Sequence, residues 1–360
     1  MKSEAKTAAI MGGIVVAIVA AIGIYFTSLD AHPQNTFSAG VIDKSGLKMA
    51  PQLKGVSGYI NSDQSLSETL KGKVVLYDIW TYSCINCQRT IPFLTAWDEK
   101  YSDKGLVIIG IHTPEFEFEK DINNVKLAVE KFGIEYPVIL DNDKVMWNLF
   151  ENRYWPRKYI ADAEGYIRYN HIGEGAYDET EKVIQALLNE RAESMGVNFD
   201  VPQSLVELKE FEHETRTPEL YFGYSFAYGR KQIGNTEGFQ PGKEITYSIP
   251  DRLHDNNFYL DGKWRNLEDR MILVSDTGRI VLPYFAKQVN IVAAGEGKIT
   301  ILIDGKIIDS AIAGSDVKDG IVYISKPTLY NLVNSEYASS KTIEIQVDGP
   351  GFEIYTFTFG

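Results

Sequence analysis

The sequence predicts two folded units behind a membrane-spanning helix: an α/β domain built on a mixed sheet flanked by helices, then an all-β domain. Three observations carry this. Apolar strand-like runs alternate with helix-period segments between residues 51 and 192. From residue 217 onward, short β-branched and aromatic runs recur, punctuated by Asp-Gly pairs. Ahead of both, the run from Thr7 to Leu29 carries no ionisable group except Tyr25, and it is longer than the ~20 residues a helix needs to cross a bilayer.

The N-terminal run follows Lys2 and Lys6, which mark its cytoplasmic side. It exceeds the apolar core of a cleavable signal, about 7–15 residues, and Leu29-Asp30-Ala31 and Phe37-Ser38-Ala39 are poor cleavage sites. The expectation is an uncleaved anchor over residues 1–29, a Gly/Pro-punctuated tether over 30–50, and everything after it on the extracytoplasmic side of the cell membrane. The net charge of −13 over 360 residues argues against a nucleic-acid partner, which needs clustered Lys and Arg.

In the first domain, Val74–Trp80 reads as a buried strand, and Ile91, Leu94, Trp97 and Tyr101 give helical spacing from Gln88 to Tyr101. Leu106–Ile111 is a second strand, 118–132 a helix, Tyr136–Leu140 a third strand, and 145–150 a short helix. Trp155–Ile160 and Tyr166–Tyr169 flank an Asp162–Gly165 turn, and a helix over 178–191 closes a unit spanning 51–192. A polar connector, 193–216, leads to a β-sandwich of jelly-roll type over 217–360. Its hairpin signals are Asp261-Gly262, Asp304-Gly305, Asp319-Gly320 and Asp348-Gly349. Tyr221, Tyr224, Tyr228, Tyr259 and Trp264 could stack on a glycan, but packed strands favour such rings as core.

The chain has two cysteines, Cys84 and Cys87. A structural zinc needs four ligands, and the five histidines show no matching spacing, so no metal is expected. A disulfide closing so short a loop stabilises little. Redox chemistry remains, with no cofactor implied.

The order of elements, with Cys84-Ile85-Asn86-Cys87 opening a helix after a strand, Pro92 within that helix and Pro156 in a later loop, resembles the thioredoxin fold in its TlpA/ResA-like branch. The resemblance implies a redox-active Cys84–Cys87 disulfide. Cys84 sits at a helix N-terminus that favours a thiolate and attacks a substrate disulfide; Cys87 then resolves the mixed disulfide. It also implies a buried acid at Asp78 to move the Cys87 proton, a second acid near the cysteines at Glu115, and substrate contacts at Pro156, Trp155 and Trp80. His112 reads as an ordinary loop histidine. Two departures stand out: Ser83 precedes the first cysteine where thioredoxins have Trp, and the intervening dipeptide is Ile85-Asn86. That dipeptide tunes the potential.

Pro51-Gln52-Leu53, Gly58–Ser62, the stretch from Ile79 to Pro92, His112–Phe116, Thr217–Tyr224 and Ile354–Gly360 resemble the extracytoplasmic part of DipZ-type proteins. In many of these a multi-helix electron-carrying membrane domain comes first. The resemblance implies a membrane-anchored thiol–disulfide oxidoreductase that reduces disulfide-containing proteins, with electrons from a separate CcdA-like membrane donor, and a β-sandwich akin to carbohydrate-binding modules that meets a glycan or envelope partner. Two alternatives stand beside this. One is a thiol peroxidase of the alkyl hydroperoxide reductase type, using the Thr81-x-x-Cys84 spacing with Arg89 or Arg153. The other is a non-catalytic glycan- or partner-binding envelope protein.

Overall fold

The structure, a computed structural model, describes residues 37–360 except 38, 41 and 197–199. The expected anchor at 1–29 lies outside the described residues, among which no helix is long and apolar enough to cross a membrane.

The first domain runs β1 (Gly58–Ile60), α1 (Leu66–Thr69), β2 (Val74–Trp80), α2 (Ile85–Tyr101), β3 (Leu106–His112), α3 (Ile122–Lys131), β4 (Val138–Leu140), α4 (Val145–Leu149), β5 (Arg157–Ala161), β6 (Ile167–Ile172) and α5 (Tyr177–Met195). Its six strands lie in the order β1-β4-β3-β2-β5-β6. β2 runs parallel to β3, and β3 to β4, through helical crossovers; β5 and β6 return antiparallel, as does β1. The result is a thioredoxin-like mixed sheet covered by helices.

Every residue of β2 is buried, which its unbroken apolar run requires of a central strand with both faces covered. Side chains alternate between faces. Val74, Leu76 and Trp80 therefore join the core under α2 and α5, while Val75, Tyr77 and Ile79 join the opposite core with Ile109, Met146 and Tyr159. Asp78 falls on the α2 side with Leu76 and Trp80. The helix after 117 begins as a 3-10 turn over Glu117–Lys120 before α3, where one continuous helix was expected. Asp121 separates the two by capping α3: its Oδ1 accepts from Asn123 N at 2.8 Å.

The connector is packed against the first domain. Val201 is buried in its core, and Gln185 and Lys100 donate to the carbonyls of Pro202 and Ser204.

The second domain is a ten-stranded sheet in which all the strand pairings are antiparallel. It comprises β7 (Leu220–Tyr221), β8 (Glu244–Tyr247), β9 (Tyr259–Asn266), β10 (Met271–Leu273), β11 (Thr277–Ala294), β12 (Gly297–Ile303), β13 (Lys306–Ile307), β14 (Ile321–Ile324), β15 (Thr328–Asp348) and β16 (Glu353–Phe359), with a one-turn helix α6 (Tyr224–Ala227). The long strands β11 and β15 pair along almost their whole length, interrupted by register shifts at Ala286/Gln288 and Val289/Asn290. Trp264 and Tyr259 are buried and Tyr221 nearly so, which makes them core; Tyr228 is exposed.

Asp304-Gly305 joins β12 to β13 with positive φ at both residues (51° and 77°), the geometry of a tight two-residue hairpin. Asp319-Gly320 does the same between Lys318 and Ile321, and Asp348-Gly349 ends β15. Asp261-Gly262 makes no hairpin: it lies inside β9. There β9 stops pairing with β11 at Asp261 and pairs with β8 from Gly262 onward. Gly262 has φ +96°, and an added Cβ would lie 2.9 Å from the Thr277 carbonyl oxygen. Gly262→Ala is expected to destabilise the second domain by about 1–3 kcal/mol, read as a lowered urea midpoint.

Candidate thiol redox site

β2 ends at Trp80 and the chain turns through Thr81–Ser83, with Cys84 N donating to Thr81 O at 3.3 Å. Cys84 is extended (φ −78°, ψ 119°) and caps α2, its Sγ accepting from Cys87 N at 3.4 Å. The helix thus begins at Ile85, three residues before the first position at which its apolar spacing is legible. Cys84 is partly exposed and Cys87 buried; both are free thiols. Burial first, then the hydrogen bond and charge of Cys84 and the charge of Asp78, push the Cys87 thiol well above its usual range.

Beneath Cys87 lies a buried pair. Asp78 and Lys158 are register partners across β2 and β5, each at most 1% exposed. Burial pushes Asp78 up to about 7 against the attraction of Lys158, and pulls Lys158 down to about 8 against that of Asp78. Each moves toward its neutral form because loss of water outweighs their mutual attraction. Lys158 Nζ donates to Gly173 O at 3.3 Å and sits 5.3 Å from the centre of the Tyr177 ring.

His112, at the end of β3, is wholly buried, and burial lowers it to about 3, so it is neutral. Its Nε2 accepts from Tyr82 N at 3.3 Å, which assigns the ring proton to Nδ1. The ring stacks on Tyr82 at 5.7 Å and stands edge-on to Trp80 at 5.2 Å, fixing the loop that carries the cysteines.

The two acids after β3 have different partners. Glu119 Oε1 accepts from Ser83 Oγ at 2.5 Å, and its Oε2 accepts from the backbone N–H groups of Glu115 (2.6 Å) and Phe116 (2.9 Å). It therefore ties the residue before Cys84 to the 113–119 loop. Glu115 turns its carboxyl toward the second domain, where Tyr221 Oη lies 3.0 Å from Glu115 Oε1 and 2.9 Å from Glu219 Oε2. Burial raises both glutamates.

Trp155 Nε1 donates to Thr113 O at 3.0 Å, and the Trp155–Pro156 peptide is cis. Trp155 keeps some exposure and packs on Trp147 at 4.1 Å. Trp80, expected at the substrate surface, is wholly buried; as an inward-facing residue of the central strand it meets only core.

Sequence reasoning missed three residues. Lys158 has a signal, since it alternates with Ile160 and so shares its inward face. Glu119 carries none, because it acts through a turn that helical periodicity hides. Tyr221 depends on how the two domains meet. Among the described residues, no group of three or more His, Cys, Asp or Glu is placed to hold a metal ion.

The Redoxin family matches residues 44–188, and the "Thioredoxin like C-terminal domain" family matches residues 217–360. The DipZ proteins of Mycobacterium bovis and Mycobacterium tuberculosis are 35% identical over 326 residues, 90% of this chain and 44% of theirs. The chain thus spans less than half the length of these relatives. The thiol-disulfide oxidoreductase YkuV of Bacillus subtilis is 27% identical over 39% of this chain and 94% of its own. ResA of Bacillus cereus, also a thiol-disulfide oxidoreductase, is 26% identical over 33% of this chain and 65% of its own.

Two outcomes follow from this geometry. A buried carboxyl raised to about 7 binds its proton more tightly folded than unfolded (about 3.9), so it costs stability as pH rises through that window. Asp78→Asn removes the cost. The stability gained over wild type should grow between about pH 4.5 and about pH 7.5, toward a few kcal/mol, by urea unfolding at each pH. Glu119→Ala orphans the Ser83 hydroxyl and two backbone N–H groups, at about 1–3 kcal/mol for each buried group. Glu119→Gln, which can accept from the two amides and donate to Ser83, should recover most of that loss in the same assay.

Proposed function

We propose that the chain, which joins a domain matched by the Redoxin family to one matched by the thioredoxin-like C-terminal family, is a thiol–disulfide oxidoreductase that reduces disulfides of exported proteins from an anchored position outside the membrane. The observation that carries the chemistry is the pairing of a partly exposed Cys84 at a helix N-terminus with a buried Cys87 above a buried acid.

The Cys84 thiolate attacks one sulfur of a substrate disulfide, forming a mixed disulfide and releasing the first substrate thiolate, which takes a proton from solvent. Cys87 gives its proton to the Asp78 carboxylate, whose raised pKa suits it to accept near neutral pH. The Cys87 thiolate then attacks Cys84 Sγ, closing the Cys84–Cys87 disulfide and releasing the second substrate thiolate. Two electrons pass from enzyme to substrate. Lys158 steadies the charge on Asp78 while it forms. Trp155 and the backbone before Pro156 border the thiol site and offer polar groups to an extended substrate.

The placement rests on the Thr7–Leu29 run behind Lys2 and Lys6. An anchored reductase needs a membrane electron donor of the CcdA type to reopen its disulfide. The second domain is read as a β-sandwich of jelly-roll type, on the strength of its long, shared strands β11 and β15. Arg89 feels the charge of Cys84, but the arginines do not favour the peroxidase reading. Arg89 is engaged by Gln288, Glu174 and the Phe211 ring, and Arg153 is exposed.

Cys84→Ser should abolish reduction of a protein disulfide, whereas Cys87→Ser should accumulate a mixed disulfide, visible as an adduct by mass spectrometry. A potential for the pair near thioredoxin's roughly −270 mV supports reduction, and one near DsbA's roughly −120 mV overturns that direction.

A further inference from the structure

We propose that the second domain forms a fixed wall of the thiol site, so that Cys84 accepts disulfides carried on extended or unfolded polypeptide and refuses the same disulfide on the face of a folded domain. The inference rests on the dithiol reading above. It follows from where the second domain touches the first. Two residues before Cys84, Tyr82 is buried and its hydroxyl donates to the Pro327 carbonyl at 3.0 Å. Between the cysteines, Ile85 packs into an apolar cluster with Tyr221, Val292, Leu329 and Tyr355, all from the second domain. Two residues after Cys87, Arg89 Nη2 donates to Gln288 Oε1 at 2.6 Å. The loop after β3 closes a further side: the Phe116 and Phe118 rings lie 5.0 and 4.8 Å from the Tyr355 ring, and Glu115 bonds Tyr221.

Tyr82, Ile85 and Arg89, before, between and after the cysteines, are therefore engaged by the second domain. These contacts are apolar packing and partly buried hydrogen bonds, which hold one geometry better than a charged surface contact would. Cys84 itself stays partly exposed, as does Trp155. A cleft of about 700 Å³ lies between the domains on the outer side of the 114–117 loop, lined by Glu115, Lys144, Tyr224, Phe226, Asp269 and Arg270. Lys144 Nζ sits 5.3 Å from the Trp155 ring, which connects this cleft to the Pro156 loop. A cleft of that size takes a few residues of extended chain. A folded domain, whose disulfide lies flush with a convex surface, meets the wall before its sulfur reaches Cys84 Sγ.

The test uses the intact protein and one single-disulfide substrate domain with a solvent-exposed disulfide. The substrate is prepared folded and as a point variant unfolded in the same buffer. Dithiothreitol, which has no wall, should reduce both forms at similar rates and serves as the reference. Normalised to it, the protein should reduce the unfolded form at least about tenfold faster than the folded form, since exchange rates depend on access. A ratio within about twofold overturns the inference. Leu329→Asp, which places a carboxylate in the apolar contact, should lower that ratio by at least about threefold, with Leu329→Ala as the milder substitute should it not fold. An unchanged ratio in a variant that folds also overturns the inference. Failure to reduce either form would instead overturn the dithiol reading, and this inference with it.

Discussion

The complete burial of β2 is the constraint from which the rest of the molecule follows. Held between β3 and β5 with helices on both faces, the strand can end in only one way: its last residues must leave the sheet at the edge of the core, where a new helix starts. That exit places a sulfur, in the role usually taken by Ser or Asp, at the first turn of α2. The placement of the Cys84 thiol is thus a by-product of how a buried strand hands over to a helix. Its position is set by packing that extends through the whole first domain.

The same burial explains the electrostatics. A carboxylate and an ammonium group side by side in a buried core resemble a stabilising ion pair. The opposed shifts of Asp78 and Lys158 say otherwise: each costs more to desolvate than the other returns. The fold carries that cost at one level of the sheet, directly under Cys87. Above it, neutral His112 and the Glu119–Ser83 bond hold the loop without placing a mobile charge next to the sulfurs.

Much of this was legible in the sequence because periodicity reports on faces. The fully apolar run of β2, the helical spacing of Ile91, Leu94, Trp97 and Tyr101, and the Asp-Gly pairs at 304 and 319 all led to the elements found. What failed has physical reasons. The resemblance implies a substrate contact at Trp80, whose parity on the strand turns it inward. Asp261-Gly262 has the composition of a hairpin, but the positive φ serves a strand changing partners. The bonds of Tyr221 to Glu115 and Glu219 could not be found, because they depend on two domains meeting and no local pattern records that.

That meeting has a consequence for proton count. A phenol has one hydrogen to give, yet Tyr221 lies within bonding distance of two carboxyls, Glu115 and Glu219. Both bonds exist together only if one carboxyl supplies a hydrogen of its own. The nearest positive charges, Lys144 and Arg230, do not offset the burial of the pair, and Glu119 adds a further negative charge. Burial drives both carboxyls toward their protonated forms, the direction in which the second bond can form. One bond of the joint beside the thiols thus depends on which of the two carboxyls carries a hydrogen.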